Sequence, residues 1–189
     1  MHKRIIIVHG WEGSPNNDWL PWAKKELKKR NYKVLIPEMP DTEHPKIETW
    51  VSHLAQIIKN PDENTILIGH SIGCQTILRY LTSLSESQKV NKVILVAGWV
   101  SLTSMTIRTK EEQKIVQPWL ETPIDFKKVK RSANSFTAIF SDNDPYVPLK
   151  SNVTTYKQKL GAKIIIEKGK GHFSQDTGIV ELPILFKLI

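Results

Sequence analysis

Cysteine is almost missing from this chain: Cys74 is the only one in 189 residues. A lone thiol forms no internal disulfide, so the fold does not rely on an oxidising compartment. Long apolar runs are missing too. None approaches the roughly 18 residues that a membrane-spanning helix needs. The opening run Ile5–Val8 stops at His9-Gly10, short of the roughly 7–15 apolar residues of a secretion-signal core. Acidic side chains are the scarcer charge, Asp+Glu 19 against Lys+Arg 27, which leaves a formal net charge of +8. No zinc-finger spacing, RNA-recognition motif or long basic arm accompanies that excess, so no nucleic-acid partner is expected. Lys24, Lys25, Lys28, Lys29 and Arg30 fall opposite Leu20, Ala23 and Leu27, the pattern of a solvated helix face. A second basic group, Lys127, Lys128, Lys130 and Arg131, is read in the same way. With 40% apolar and 24% charged residues, the expectation is one soluble, cytoplasmic domain spanning 1–189, with no membrane partner.

What is present is an alternation. Short β-branched runs recur at Ile5–Val8, Val34–Ile36, Thr65–Ile68, Val93–Val96, Thr137–Phe140 and Ile164–Ile166. Each reads as a near-continuous apolar strand, as parallel strands covered on both faces do. Helical stripes lie between them: Ile47, Val51, Leu54 and Ile58; then Cys74, Ile77, Leu78 and Leu81; then Leu149, Val153, Tyr156 and Leu160. Pro61 and Gly161 supply stop signals. The pattern predicts a doubly wound α/β sheet with right-handed crossovers. One connection, 97–136, is longer than a single crossover helix requires. Thr109-Lys110-Glu111-Glu112 has capping-box spacing and predicts a short helix ending before Pro118. Because the connection follows a strand's carboxyl end, where open α/β sheets bind ligands, it reads as a small lid or pocket wall, or equally as an extra packing layer.

The strongest chemical signal is Gly69-His70-Ser71-Ile72-Gly73, a G-x-S-x-G sequence with a strand before it and a helix after it. Such a turn is so tight that side chains two residues either side of the serine would collide, and glycine removes the collision. A serine hydroxyl needs a base, and the base needs an orienting acid. Both are expected downstream, in the order Ser, Asp or Glu, His. The run Thr137–Phe140 leads into Ser141-Asp142-Asn143-Asp144, and the last strand leads into Gly169-Lys170-Gly171-His172. His172 is the expected base, while Asp142 and Asp144 both remain open as the acid. The other histidines are weaker: His2 is terminal, His44 lies in a Pro-rich loop, His53 sits on a helix, and His70 points away from its neighbour Ser71. Metal binding through His44, Asp41 and Glu43 lacks a second cluster of recognised spacing, so no metal is expected. His9-Gly10-Trp11-Glu12-Gly13 follows the first strand, where a second oxyanion-hole N–H arises, which pairs the backbone N–H groups of Trp11 and Ile72.

Taken in order, His9-Gly10, Gly13-Ser14-Pro15, Trp19 and Trp22, Gly69-His70-Ser71-Ile72-Gly73-Cys74, Asp144-Pro145-Tyr146-Val147-Pro148, Gly171-His172-Phe173 and Leu182-Pro183 resemble the small serine hydrolases typified by retinoblastoma-binding protein 9. The resemblance spans nearly the whole chain. It implies a compact α/β-hydrolase fold of about six mostly parallel strands, helices on both faces and no large cap domain. It also implies a triad of Ser71, Asp144 and His172, with Asp144 preferred to Asp142 through the Asp-x-x-Val-Pro pattern. Trp11-Glu12 departs from the family pattern in the oxyanion loop. Trp11, Trp99 and Trp119 are expected to form an apolar pocket wall.

The function expected from these residues is hydrolysis of small carboxylic esters or amides through an acyl-enzyme, with no metal or organic cofactor. The rival is a protein-interaction module on a hydrolase scaffold with vestigial turnover, since fold does not dictate function.

Overall fold

A computed structural model describes residues 3–107 and 109–189. Six strands form one sheet: β1 (Arg4–Val8), β2 (Lys33–Leu35), β3 (Thr65–His70), β4 (Val90–Val96), β5 (Ala133–Ser141) and β6 (Lys163–Glu167). Their order is β2-β1-β3-β4-β5-β6, and all five neighbouring pairs are parallel. The crossovers carry helices α1 (Leu20–Lys29), α2 (Ile47–Ile58), α3 (Ile72–Ser83), α4 (Lys110–Glu121), α5 (Phe126–Arg131) and α6 (Leu149–Thr155).

The two-residue period of a strand splits its side chains between two layers. Ile5 and Ile7 join Ile66, Ile68, Ile94 and Val96 on one face, beneath Leu20, Ala23 and Leu27 of α1 and the C-terminal residues Leu182, Leu185 and Leu188. Ile6 and Val8 join Leu67, Val93, Leu95 and Phe140 on the other, beneath α2, α3 and α5. Helix α3 is buried from Ile72 to Leu81, so it is apolar nearly all round rather than striped. The basic clusters lie on α1 and α5, largely exposed. Among the described residues, no helix is long and apolar enough to cross a membrane, and no separate cap domain stands over the sheet edge.

Three local expectations need correction. Edge strands β2 and β6 are not covered on both faces: Leu35 is 47% and Ile166 49% exposed. Each has only one neighbouring strand, and the helices do not reach fully over the border. Helix α4 begins with the expected capping box, Thr109 Oγ1 accepting from Glu112 N and Glu112 Oε2 accepting from Thr109 N. It does not stop before Pro118 but runs one more turn to Glu121, anchored by the buried Trp119. Proline costs that turn one backbone donor, and burial of the indole outweighs the loss. The last stripe is α6 followed by a π-helical turn, Tyr156–Leu160, closed by Gly161 at φ +67°.

Chain order places the site. β1 leads outward to β2 on one side, while β3, β4, β5 and β6 continue on the other. Adjacent connections therefore diverge between β1 and β3, where a crevice opens beyond the carboxyl ends of the strands.

Candidate active site

Ser71 stands at that crevice, in the turn between β3 and α3. Its backbone is left-handed, φ +52° and ψ −122°, a conformation costing roughly 1–3 kcal/mol for a non-glycine residue. The surroundings enforce it. Ser71 N–H donates to the Val96 carbonyl at 3.0 Å, and the Ser71 carbonyl accepts from Cys74 N–H at 3.0 Å. A Cβ at Gly69 would stand 2.7 Å from Cys74 N. One at Gly73 would stand 2.6 Å from the His9 carbonyl oxygen and closer still to that of Val8. The glycines thus let α3 press against β1.

The downstream residues converge on this serine. His172 Nε2 lies 2.9 Å from Ser71 Oγ, and His172 Nδ1 lies 2.8 Å from Asp144 Oδ2. The other carboxylate oxygen, Asp144 Oδ1, accepts from the backbone N–H groups of Tyr146 at 2.9 Å and Val147 at 3.1 Å. The Asp144 side chain is 2% exposed and that of His172 13%. Asp142 instead braces the neighbouring loop, its Oδ1 accepting from Gly169 N–H at 2.8 Å.

Two neighbours of Asp142 complete a staple between the loops. Asn143 Oδ1 accepts from Gly171 N–H at 2.8 Å, and Ser141 Oγ accepts from Lys170 N–H at 3.0 Å. Gly171 bends at φ +51°, and a Cβ there would stand 2.5 Å from Thr177 Cγ2, so a glycine lets the chain turn to deliver the imidazole. The strand-then-loop register of Ser141–Asn143 was visible in the sequence, but its hydrogen bonds to 169–171 were not.

The loop after β1 is tied just as closely. His9 Nδ1–H donates to the Gly10 carbonyl at 2.9 Å, and its Nε2 accepts from Met39 N–H at 3.1 Å. Burial lowers the His9 pKa, in keeping with this neutral tautomer. A side chain at Gly10 would meet Ser71 Cβ at 3.5 Å, so the Gly10-Trp11 backbone passes beside the serine. Ile72 is the first residue of α3, where N–H groups have no intrahelical acceptor.

A cleft of about 490 Å³ opens over Ser71 and His172. Trp11, Trp99, Leu102, Val116 and Tyr146 give it an apolar wall. Trp119 does not belong to that wall. It is 1% exposed, packs edge-on against Trp50 at 6.3 Å, and donates its Nε1–H to the Pro45 carbonyl at 2.9 Å. Its place on α4 turns it towards the core, whereas Trp99 leaves β4 at the sheet edge. Asn17, Asp18 and Gln175 also line the cleft, on loops that bond to each other. His44 is exposed, and His2 lies outside the described residues. Among the described residues, no group of three or more His, Cys, Asp or Glu side chains is placed to hold a metal ion.

A parallel sheet of this order, a strained serine on its strand-to-helix turn, and an acid and histidine from later strands define an α/β hydrolase. Residues 5–189 match the serine hydrolase family model, and the chain belongs to that family. It is 31% identical over 190 residues to putative hydrolase YdeN of Bacillus subtilis, covering 100% of this chain and 95% of that protein. It is 27% identical over 178 residues to serine hydrolase RBBP9 of Rattus norvegicus, covering 94% and 84% respectively. The crystal structure of the B. subtilis ydeN product superposes with a TM-score of 0.89 at 30% identity, covering 98% of this chain and 96% of that one. Est1E of Butyrivibrio proteoclasticus shares the fold at a TM-score of 0.71 and 14% identity, covering 99% and 88%.

Proposed function

We propose that this chain hydrolyses small carboxylic esters or amides, with Ser71 as nucleophile, His172 as general base and then acid, and Asp144 as its orienting partner. The observation that carries the reading is the unbroken line from Ser71 Oγ to His172 Nε2 at 2.9 Å and from His172 Nδ1 to Asp144 Oδ2 at 2.8 Å. A carboxylate only accepts, so Nδ1 carries the proton and Nε2 presents its lone pair to the serine hydroxyl. As Ser71 Oγ attacks the carbonyl carbon, His172 takes its proton and later gives it to the departing alcohol or amine. Water then repeats the sequence and frees the acid. Asp144 holds the tautomer and stabilises the imidazolium.

Charge develops on the carbonyl oxygen in the tetrahedral intermediate. Ile72 N–H and Trp11 N–H are its donors in this reading, and losing either donor costs about 3 kcal/mol of transition-state stabilisation. The cleft's volume falls within the usual range for small-molecule sites, and its tryptophan-lined wall suits an acyl or aromatic group.

Labelling with a fluorophosphonate probe tests the nucleophile. The native protein is expected to label and Ser71→Ala to remain unlabelled; an inert native protein, or equal labelling of both, refutes the reading. A series of 4-nitrophenyl esters of rising chain length then measures the apolar wall.

A further inference from the structure

Directly behind the catalytic imidazole is a second histidine facing a second carboxylate. His70 is 3% exposed, and its Nε2 lies 2.8 Å from the His172 carbonyl oxygen. A carbonyl cannot donate, so Nε2 carries a hydrogen and donates it. In neutral His70 that leaves Nδ1 as a bare lone pair. Nδ1 is buried and has no hydrogen-bond partner, yet it faces Asp18 Oδ2 at 3.6 Å. If Asp18 is ionised, two lone pairs oppose each other in a poorly solvated place, an arrangement that one added proton resolves. Asp18 in turn holds the His172 loop from its other side: its Oδ1 accepts from Gln175 N–H at 2.8 Å.

We propose that Asp18 and His70 are positioning residues that share one proton between Oδ2 and Nδ1, and that this pair holds the loop of His172 against Ser71 from two sides. Closing the gap needs a shift of under about 1 Å to reach hydrogen-bond distance. Burial lowers the His70 pKa to about 3, which disfavours the proton on Nδ1. Burial also raises the pKa of Asp18, against the Gln175 backbone bond that lowers it, with Asp176 raising and His172 lowering it further. The groups facing His70 are His172, Asp144 and His9, and the Trp19 ring stands edge-on at 6.0 Å.

Linkage sets the sign of the pH dependence. A carboxyl whose pKa is higher folded than unfolded adds stability below the unfolded value, and that stability is lost as pH rises through the folded value. Asn in place of Asp18 keeps an oxygen for Gln175 N–H and presents an N–H to His70 Nδ1 at every pH. Gly removes both contacts and tolerates the left-handed φ of +56° found there.

The role in positioning rests on the hydrolase reading above; the shared proton does not. The test compares thermal unfolding of wild type, Asp18→Asn and Asp18→Gly from about pH 4 to about pH 8, together with steady-state hydrolysis of a 4-nitrophenyl ester. Wild type is expected to lose melting temperature relative to Asp18→Asn as pH rises. Asp18→Asn is expected to keep kcat within about twofold, while Asp18→Gly loses about tenfold or more, with KM moving less. A wild-type pH course parallel to that of Asp18→Asn overturns the shared proton. A smaller kcat loss in Asp18→Gly overturns the positioning role. If Asp18→Gly does not fold, the Asp18→Asn pH course decides the proton, and His70→Phe, which removes the bond to the His172 carbonyl, decides the positioning role by the same kcat threshold. A wild type inert to ester and probe overturns the hydrolase reading instead, and the melting comparison still decides the proton.

Discussion

Two histidine–carboxylate pairs stand side by side at the sheet edge, their imidazole centroids 5.3 Å apart, and they are built differently. In the pair His172–Asp144 every polar atom is engaged: 2.8 Å separates the partners, and two backbone N–H groups hold the far carboxylate oxygen. In the pair His70–Asp18 the gap is 3.6 Å and one buried nitrogen is unpaired. In the proposed reading, the first arrangement has its proton already placed and acts on the serine. The second is short of one hydrogen bond and, in the proposal above, shares a proton that only helps to hold the loop. Residue type is the same in both; hydrogen-bond completeness is what separates them.

Matched substitutions sharpen that contrast, beginning with the largest effect. Asp144→Asn keeps an oxygen for Tyr146 N–H and Val147 N–H but cannot accept from His172 Nδ1, so the imidazole is pushed to the wrong tautomer. Its kcat/KM is expected to fall about 10⁴-fold, in a protein that still melts cooperatively. Asp18→Asn, the same chemical change in the neighbouring pair, is expected to cost about twofold or less. Equal losses would erase the distinction between the pairs. The smallest effect belongs to Tyr146, whose ring meets His172 edge-on at 5.2 Å and is 38% exposed. Tyr146→Ala keeps the backbone bond to Asp144 and is expected to lower kcat by about two- to tenfold. Steady-state kinetics on one ester reads both Asp→Asn variants and Tyr146→Ala.

The fold was legible because parallel strands buried on two faces read as apolar runs, and each of the six runs falls on a strand, with only Ile36 left outside. Their limits were less so. β5 begins at Ala133, well before the apolar run Thr137–Phe140, because Asn134 and Ser135 continue the strand while facing solvent. Ser71 was legible because its turn is a local steric problem with a glycine solution. The choice of Asp144 over Asp142 was not local, since both follow β5 and both accept backbone hydrogen bonds; it came from the family pattern. Trp99 and Trp119 share one connection, and no periodicity there told which faced the cleft. Asp18 left no trace at all. Its partners, His70 and Gln175, come from distant parts of the chain and meet only through the strand order.

Cys74 sits in the first turn of α3, fully buried, its Sγ–H donating to the Val96 carbonyl at 3.4 Å. Burial pushes its thiol pKa far up, so in the closed molecule it is inert to alkylating reagents. Such a reagent reaches it only when that turn parts from the sheet, and no second thiol competes for the label. The rate of modification is therefore a clock, built into the native chain, for how often the ground beneath Ser71 gives way.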